Sequence, residues 1–301
     1  MGISRRAAIA GLATLAAGCV QSPRRPAGSG PVASGPGVNT PALPPLAPLP
    51  LARRQGAVAG PVDDPASVGL DAVVDLSHFN RVGDFSQVRD SGILGVIHKA
   101  TEGGDWVDPL YAQRRAQAEA AGLMWGAYHF GTYQRSGADQ AANFLATVQP
   151  GPSTLLALDL ELNERNPANT MDITRAEDFV RAVLTATGRL PVLYIHPAWA
   201  DGEAMGGRGR TLGGAIRPGS LLAACDLWLA DYRAQPELPS AWVGRGWLLW
   251  QYAGDGPGAG PFKPRTRLVA GINSCDRNVF SSDASTLIAY WQRGPRLSRR
   301  R

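Results

Sequence analysis

Apolar runs recur along the chain from Val68 to Arg293 and predict a set of short strands. Eight of them stand out: "DAVVDLS", "GILGVIHKA", "GLMWGAYHF", "TLLALDLE", "LPVLYIH", "DLWLADY", "GWLLWQY" and "GINSCDRNVF". The first seven are mostly continuous and do not alternate between apolar and polar positions. Continuous runs of this length are typical of parallel strands that are buried on both faces.

Helical patterns lie between several of these runs. The segment "DPLYAQRRAQAEAAG" has a proline near its start and a glycine at its end. The segment "TRAEDFVRAVLTATG" begins with a predicted capping box of Thr174 and Glu177 and ends at Gly188, a typical helix terminator. Strands that alternate with helices predict an α/β fold, here an irregular (β/α) TIM-like barrel in a single catalytic domain, residues 68–293.

The second half of this domain predicts the irregularity. Helical patterns are fewer there, and the glycine-rich segment from Trp199 to Leu222 predicts a loop. The structural alternative is an open doubly wound sheet. Its usual glycine-rich dinucleotide turn is missing from the sequence, which favours the barrel.

The residues before the domain predict export. A twin arginine, Arg5 and Arg6, precedes an apolar run, Ala7 to Gly18, that is shorter than the roughly 20 residues of a membrane span. This pattern in residues 1–19 is typical of a twin-arginine signal. "LAAGC" also resembles a bacterial lipobox, in which Cys19 would be lipidated; ordinary cleavage near Gly18 is the alternative. We therefore expect a periplasmic or cell-envelope protein, anchored through Cys19 or else secreted.

Composition sets further limits. Residues 20–67 are rich in Pro, Gly, Ala and Ser and predict a disordered tether, while residues 294–301 form a basic tail. The net charge of +5 suits an anionic polymer, but no nucleic-acid module is recognisable. Cys225 and Cys275 either form a disulfide, which export permits, or are two small buried side chains. No Cys/His spacing typical of a metal site occurs, so we expect no metal and no cofactor.

Acidic residues end the predicted strands repeatedly, at the barrel end where reactive groups of parallel barrels lie. They are Asp75, Glu102 (with Lys99 close before it), Asp159, Glu161, Asp231 and Asp276. Asp159 and Glu161 are two positions apart, so on a strand they point the same way, with Cα atoms about 6.6 Å apart. Two close carboxylates do not both ionise freely, which supplies the proton donor beside an anion that glycoside hydrolysis needs. Glu164 lies past the strand and is interpreted as an ordinary loop carboxylate.

Aromatic residues accompany these acids and are candidate sugar contacts, because ring faces stack on sugars and hydroxyls reach sugar oxygens. They are Tyr128, Phe130, Tyr194, Trp250 and Tyr252. For Phe130 and Trp250, packing in the core is an equal alternative. Lys99, Glu102 and Asp231 complete the candidate substrate-binding set. His129 is interpreted as a hydrogen-bonded core histidine.

The domain resembles the family 25 glycoside hydrolases, the Chalaropsis-type lysozymes (N-acetylmuramidases). The resemblance rests on "VVDLSHFN", the stretch from "GDFSQVRD" through "KATEGGDWVDP" to "GAYHF", "LLALDLE", "PVLYIH", "LWLADY", "LLWQYAG" and "CDRNVF", which cover most of residues 71–281. It implies an irregular (β/α) barrel that cleaves the β-1,4 bond between N-acetylmuramic acid and N-acetylglucosamine in peptidoglycan. No metal or cofactor is implied.

Carried over by motif, the resemblance makes Glu161 the general acid. Asp159 would orient the substrate or stabilise charge, and Asp75 and Asp276 would complete a carboxylate ring. Tyr128, Trp250 and Tyr252 match sugar-contacting positions. The mechanism stays open between attack by the substrate's own 2-acetamido carbonyl, our working hypothesis, and inversion by an activated water.

The sequence predicts an exported muramidase that acts on peptidoglycan glycan strands as a monomer, and three rival functions are compatible with the same fold. The first is a catalytically weak or inactive peptidoglycan-binding protein of the same fold. The presence of all four acids argues against it, because a protein that only binds would be free to lose them. The second is a phage or secreted lytic enzyme aimed at other cells, which does not need the predicted leader. The third is a chitinase-like glycosidase, which the "KATEG" and "WQY" blocks disfavour.

Overall fold

The computed structural model describes residues 60–207, 209–254, 260–262, 264 and 266–293. The strands within them are β1 (Leu70–Leu76), β2 (Gly95–Glu102), β3 (Trp106–Val107), β4 (Met124–Phe130), β5 (Leu155–Asp159), β6 (Val192–Ile195), β7 (Leu227–Ala230), β8 (Leu249–Ala253) and β9 (Asp276–Phe280). The α-helices are α1 (Phe85–Asp90), α2 (Tyr111–Ala120), α3 (Gly137–Val148), α4 (Ile173–Thr187), α5 (Pro197–Ala200), α6 (Leu221–Ala224) and α7 (Ala284–Arg293). Single 3-10 turns lie at Pro65–Ser67, Pro167–Asn169 and Ser240–Trp242.

The strands close into a barrel. Their order is β1-β9-β8-β7-β6-β5-β4-β2, and β1 also pairs with β2, so the ring has no open edge; β3 pairs with the end of β2. Neighbours in the ring are parallel except that β9 runs antiparallel to both β8 and β1. The eight ring strands match the eight predicted segments. The predicted irregular barrel is therefore confirmed, and the open-sheet alternative is wrong because β1 pairs with β2.

The barrel interior is apolar at one end. Inward-facing side chains form one cluster: Val73, Ile97, Leu155, Ala157, Val192, Trp228, Leu249 and Phe280. Helix α7 adds Trp291, whose ring lies so close to Gly95 that a Cβ there would be 2.8 Å from it. The Trp291 indole N–H also donates to the backbone oxygen of Trp125 at 2.8 Å. Since Gly95 opens β2, α7 covers the end of the barrel at which the parallel strands begin.

A second apolar cluster lies between the barrel and its helices. Strand residues that alternate with the inward set, such as Val74, Val96 and Leu158, pack there with Phe144 of α3 and Phe179 of α4. This two-sided burial explains why the strands are continuous apolar runs: both faces of each strand meet apolar partners.

Helix α4 begins earlier than its predicted capping box. Its N-cap is Asp172, whose carboxylate accepts a hydrogen bond from the Arg175 N–H at 2.9 Å, so the capping role predicted for Thr174 and Glu177 is wrong. An aspartate two residues upstream caps at least as well as threonine and lengthens the helix. The predicted end is confirmed, because Gly188 adopts φ +67°.

The packed chain also begins before Val68. Val62 is buried and donates its N–H to the Ala234 oxygen at 2.8 Å, and the turn Pro65–Ser67 is capped by Asp64. The end of the predicted tether thus belongs to the folded part. The predicted signal and Cys19, the tether up to residue 59 and the tail 294–301 lie outside the described residues.

The remaining local predictions concern a loop and two cysteines. Between α5 and α6 the described residues form the predicted loop, crossed by one bridge between Met205 and Arg210. Cys225 and Cys275 are both buried and no disulfide joins them, so the alternative of two small buried side chains is confirmed.

Candidate active site

The inward faces of the strands change from apolar to polar toward the carboxyl end of the barrel. In β5, Leu155 and Ala157 belong to the inner cluster, and Asp159 follows on the same face. Registers bring further groups alongside: Asp159 pairs with Phe130 of β4 and with Tyr194 of β6. Strand β5 therefore ends in carboxylates because its carboxyl end reaches the open mouth of the barrel, where inward-facing side chains no longer pack in the apolar interior.

Asp159 and Glu161 both hold protons more strongly than free carboxyls. Burial and the neighbouring Glu161 raise the pKa of Asp159 well above its ordinary value, while Lys99 opposes the rise. Burial raises the pKa of Glu161 to about 7, again against Lys99 and with further support from Glu164 and Asp75. The exposed Glu164, predicted to be an ordinary loop carboxylate, thus acts on the site through its charge. A carboxyl with a pKa near 7 is an effective proton donor at neutral pH.

One oxygen of Asp159 is left for a ligand. Asp159 is only 8% exposed, and its Oδ1 has no hydrogen-bond partner among the described residues. Buried polar atoms are nearly always paired, so an unpaired carboxyl oxygen at an active-site mouth indicates a partner supplied by substrate or water.

Tyr128 marks where the predicted acids meet. Burial raises the pKa of its hydroxyl well above the ordinary value, and the charges of Asp159, Asp75, Asp276 and Glu161 all raise it further. Asp75 and Asp276 are also direct partners in the register of β1 and β9. The charges of the four predicted acids therefore all act on the Tyr128 hydroxyl, which stays protonated and can donate a hydrogen bond.

Lys99 supplies the positive charge of the site. Its Nζ lies 2.6 Å from a carboxylate oxygen of Glu102, 4.7 Å from the ring centre of Phe130 and 5.1 Å from that of Trp106. These contacts group Lys99 with Glu102, Phe130 and Trp106, and the charge of Lys99 acts on Asp159 and Glu161. The part of Lys99, Glu102 and Phe130 in substrate binding stays a prediction. Trp106, on the short strand β3, carried no signal in the sequence.

Asp75 is held by two amides that sequence reasoning missed. Its Oδ2 accepts hydrogen bonds from Gln251 Nε2 at 3.0 Å and from Asn278 Nδ2 at 2.8 Å. Gln251 Oε1 in turn accepts from the hydroxyls of Tyr194 at 2.9 Å and Tyr232 at 2.8 Å. Tyr194, predicted to contact sugar, therefore uses its hydroxyl inside this network.

Three predicted binding residues are not brought to the mouth. Trp250 and Tyr252 are buried in the outer cluster, because Gln251 between them faces inward and strand neighbours point to opposite sides. Asp231 is buried and its carboxylate pairs with the Arg233 guanidinium at 2.7 Å. The sugar-contact predictions for Trp250 and Tyr252 are therefore wrong, and Asp231 has a structural ion pair instead.

His129 is a core histidine, as predicted. Its Nδ1 lies 2.7 Å from Thr101 Oγ1 and its Nε2 lies 3.1 Å from Gln140 Oε1, and the ring stacks on Phe179. Burial lowers the pKa of His129 to about 4. Within the part of the chain that the structure describes, no group of His, Cys, Asp and Glu side chains is arranged to hold a metal ion.

A closed (β/α) barrel whose mouth gathers carboxyls with raised pKa values, a cation and aromatic side chains is an arrangement that glycoside hydrolases use. Comparison with known proteins specifies which kind. Residues 74–260 match the family described as glycosyl hydrolases family 25, and the chain belongs to that family.

Individual relatives agree with this assignment. The chain is 28% identical over 251 residues to lysozyme M1 of Streptomyces globisporus, covering 78% of this chain and 77% of the relative. Among solved structures it is similar to the bacterial lysozyme from Streptomyces coelicolor, with a TM-score of 0.60, 26% identity, and coverage of 74% of this chain and 97% of the other. A muramidase from Acremonium alcalophilum gives a TM-score of 0.57 at 28% identity, covering 73% and 97%.

Proposed function

We propose that this family 25 glycoside hydrolase cleaves the β-1,4 bond between N-acetylmuramic acid and N-acetylglucosamine in peptidoglycan, with Glu161 as the general acid. The observation that carries the proposal is the pair of carboxyls at the end of β5. Asp159 is buried with one carboxyl oxygen unpaired, and burial raises the pKa of Glu161, two residues later, to about 7. The relatives named lysozyme and muramidase support the choice of substrate.

The reaction divides between the two carboxyls. Glu161 gives its proton to the glycosidic oxygen as the bond to the anomeric carbon breaks, which releases the leaving sugar as a neutral alcohol. In the substrate-assisted route, the 2-acetamido carbonyl oxygen attacks the anomeric carbon, and water later opens the cyclic intermediate. The reactive form is the one in which the pair holds a single proton, on Glu161. Asp159 is then ionised: its unpaired oxygen accepts the amide N–H, and its charge stabilises the positive charge that develops there.

The test is the chemistry of the digested wall. Mass spectrometry of purified peptidoglycan after digestion should show new reducing ends on N-acetylmuramic acid. Reducing N-acetylglucosamine would identify a glucosaminidase, anhydro ends a lytic transglycosylase, and no cleavage a binding protein, and each of these results contradicts the proposal.

Variants assign the acid. Glu161→Gln should abolish cleavage while the protein stays folded, whereas the matched change Glu177→Gln on α4 should leave cleavage as in the wild type. Full activity in Glu161→Gln removes Glu161 from the role. NMR of the first-formed anomer on a soluble glycan decides the route, since an inverted product excludes the substrate-assisted one.

Export and anchoring belong to the same proposal. The support is the twin-arginine pattern in residues 1–19 and the lipobox-like sequence before Cys19. In the described residues no helix is both long and apolar enough to pass through a bilayer. Cell fractionation should find the protein with membranes and Cys19→Ser in the soluble envelope fraction; an unchanged distribution would argue against an acyl anchor at Cys19.

A further inference from the structure

The orientation of the Asn278 amide beside Asp75 is determined by its other partner. The Trp228 indole N–H only donates, so the Asn278 atom 2.6 Å from it is the amide oxygen, and Nδ2 is directed at Asp75. Gln251 presents its oxygen to two tyrosine hydroxyls. With Asp75 ionised, only this orientation places an N–H group of Gln251 on the Asp75 carboxylate, 3.0 Å away.

Both amides are sealed from water. Gln251 is 2% exposed and Asn278 is 0% exposed, so solvent does not compete for their N–H groups. Two N–H donors on a single carboxylate oxygen favour the ionised form of that carboxyl and restrict its rotation.

We propose that Gln251 and Asn278 are positioning residues that hold Asp75 as an oriented, ionised carboxylate for the glycosidase reaction. The inference rests on the proposed function, because the reaction it serves is the cleavage catalysed through Glu161. It adds two residues of β8 and β9 to a site otherwise described by its acids and aromatic rings.

The hydrogen bonds from Gln251 and Asn278 bear on catalysis because the charge of Asp75 acts on the two carboxyls Asp159 and Glu161. Asp75 raises the pKa of Asp159 and the pKa of Glu161. Its charge therefore helps to keep the proton that general acid catalysis requires. The titratable groups that interact with or pair with Asp75 are Tyr128, Asp159, Glu161, Tyr194, Tyr232 and Asp276. Lys99 and Glu102 act on Asp159 and Glu161 in the same mouth.

Gln251→Glu tests the role with almost no change of shape. The new carboxylate still accepts the tyrosine hydroxyls, but its second oxygen faces Asp75 at about 3 Å, where two carboxylates share one proton. NMR titration of the Asp75 side-chain carboxyl carbon should then show deprotonation about one pH unit or more higher than in the wild type. Asn278→Asp makes the same change from the other side and serves if Gln251→Glu fails to fold. Titration of Asp75 at the wild-type pH in both variants would overturn the proposal.

The kinetic readout separates positioning from mere support of the fold. The acidic limb of the pH profile of kcat/KM should move up with the Asp75 titration, which lowers kcat/KM below that limb about tenfold per pH unit. The matched change Gln117→Glu, at an exposed position of α2, should leave the profile in place. A profile that only scales down without moving indicates a structural role and refutes the inference. A wild type that does not cleave peptidoglycan refutes the proposed function instead, and the titration still decides the role of the amides.

Discussion

Glu161→Gln should stabilise the protein at alkaline pH while it abolishes activity. Folding raises the pKa of Glu161 from 4.5 to about 7, so above pH 7 the folded state carries a charge that it accommodates poorly. At about 1.4 kcal/mol per pH unit this costs the folded state about 3 kcal/mol. Partial solvent exposure of Glu161 screens its charge, so we expect Gln to raise the free energy of unfolding by about 1–2 kcal/mol at pH 8.

The stability difference between the variant and the wild type depends on pH, whereas a difference caused by packing would not. Below pH 4.5 Glu161 is protonated in both the folded and the unfolded state, so the variant and the wild type should be equally stable. The wild type should then lose stability relative to the variant as pH rises from 4.5 to 7, and the difference should stay constant above that. Urea unfolding at pH 4 and pH 8 measures this, with Glu177→Gln as the control. Equal stability at pH 8, or a loss at both values, would refute the reasoning.

Other predictions follow from the same contacts. Lys99→Met should move the alkaline limb of the pH–activity profile upward, because Lys99 lowers the pKa values of Asp159 and Glu161; a limb that stays or moves down contradicts the assignment. Trp291→Ala should cost about 3–5 kcal/mol of stability by emptying the closed end of the barrel, as measured by denaturant unfolding. Trp250→Phe should lower the melting temperature but leave KM for the glycan unchanged, since the ring packs between the barrel and its helices. A raised KM would show that Trp250 contacts the glycan after all.

The fold was largely accessible from the sequence because each strand is buried on both faces. Continuous apolar runs separated by helical patterns predict a parallel barrel, and all eight runs became ring strands. The pairing of Asp159 with Glu161 was equally accessible, since two positions on an extended chain share a face. The start of α4 was missed because Asp172, which caps a helix as well as threonine does, stands two residues before the predicted cap Thr174.

The aromatic contacts were harder to predict for a physical reason. A run such as "LLWQY" is apolar on both faces, so periodicity does not reveal which residues face the interior. Choosing Trp250 and Tyr252 as sugar contacts selected the wrong face, and the inward side chain was the uncharged Gln251. Amides such as Gln251 and Asn278 carry no charge pattern, and only pairing between distant strands shows that they meet at Asp75.

The sequence by itself determined which residue types stand at the ends of the strands, because that is a matter of local order along one chain. It determined the barrel class and the identities of the acids. The tertiary structure alone decided which neighbours surround each acid, since these come from strands far apart in sequence. Burial and the charges of Lys99 and Asp75 set the proton affinities of Asp159 and Glu161, and these arise only when the barrel closes.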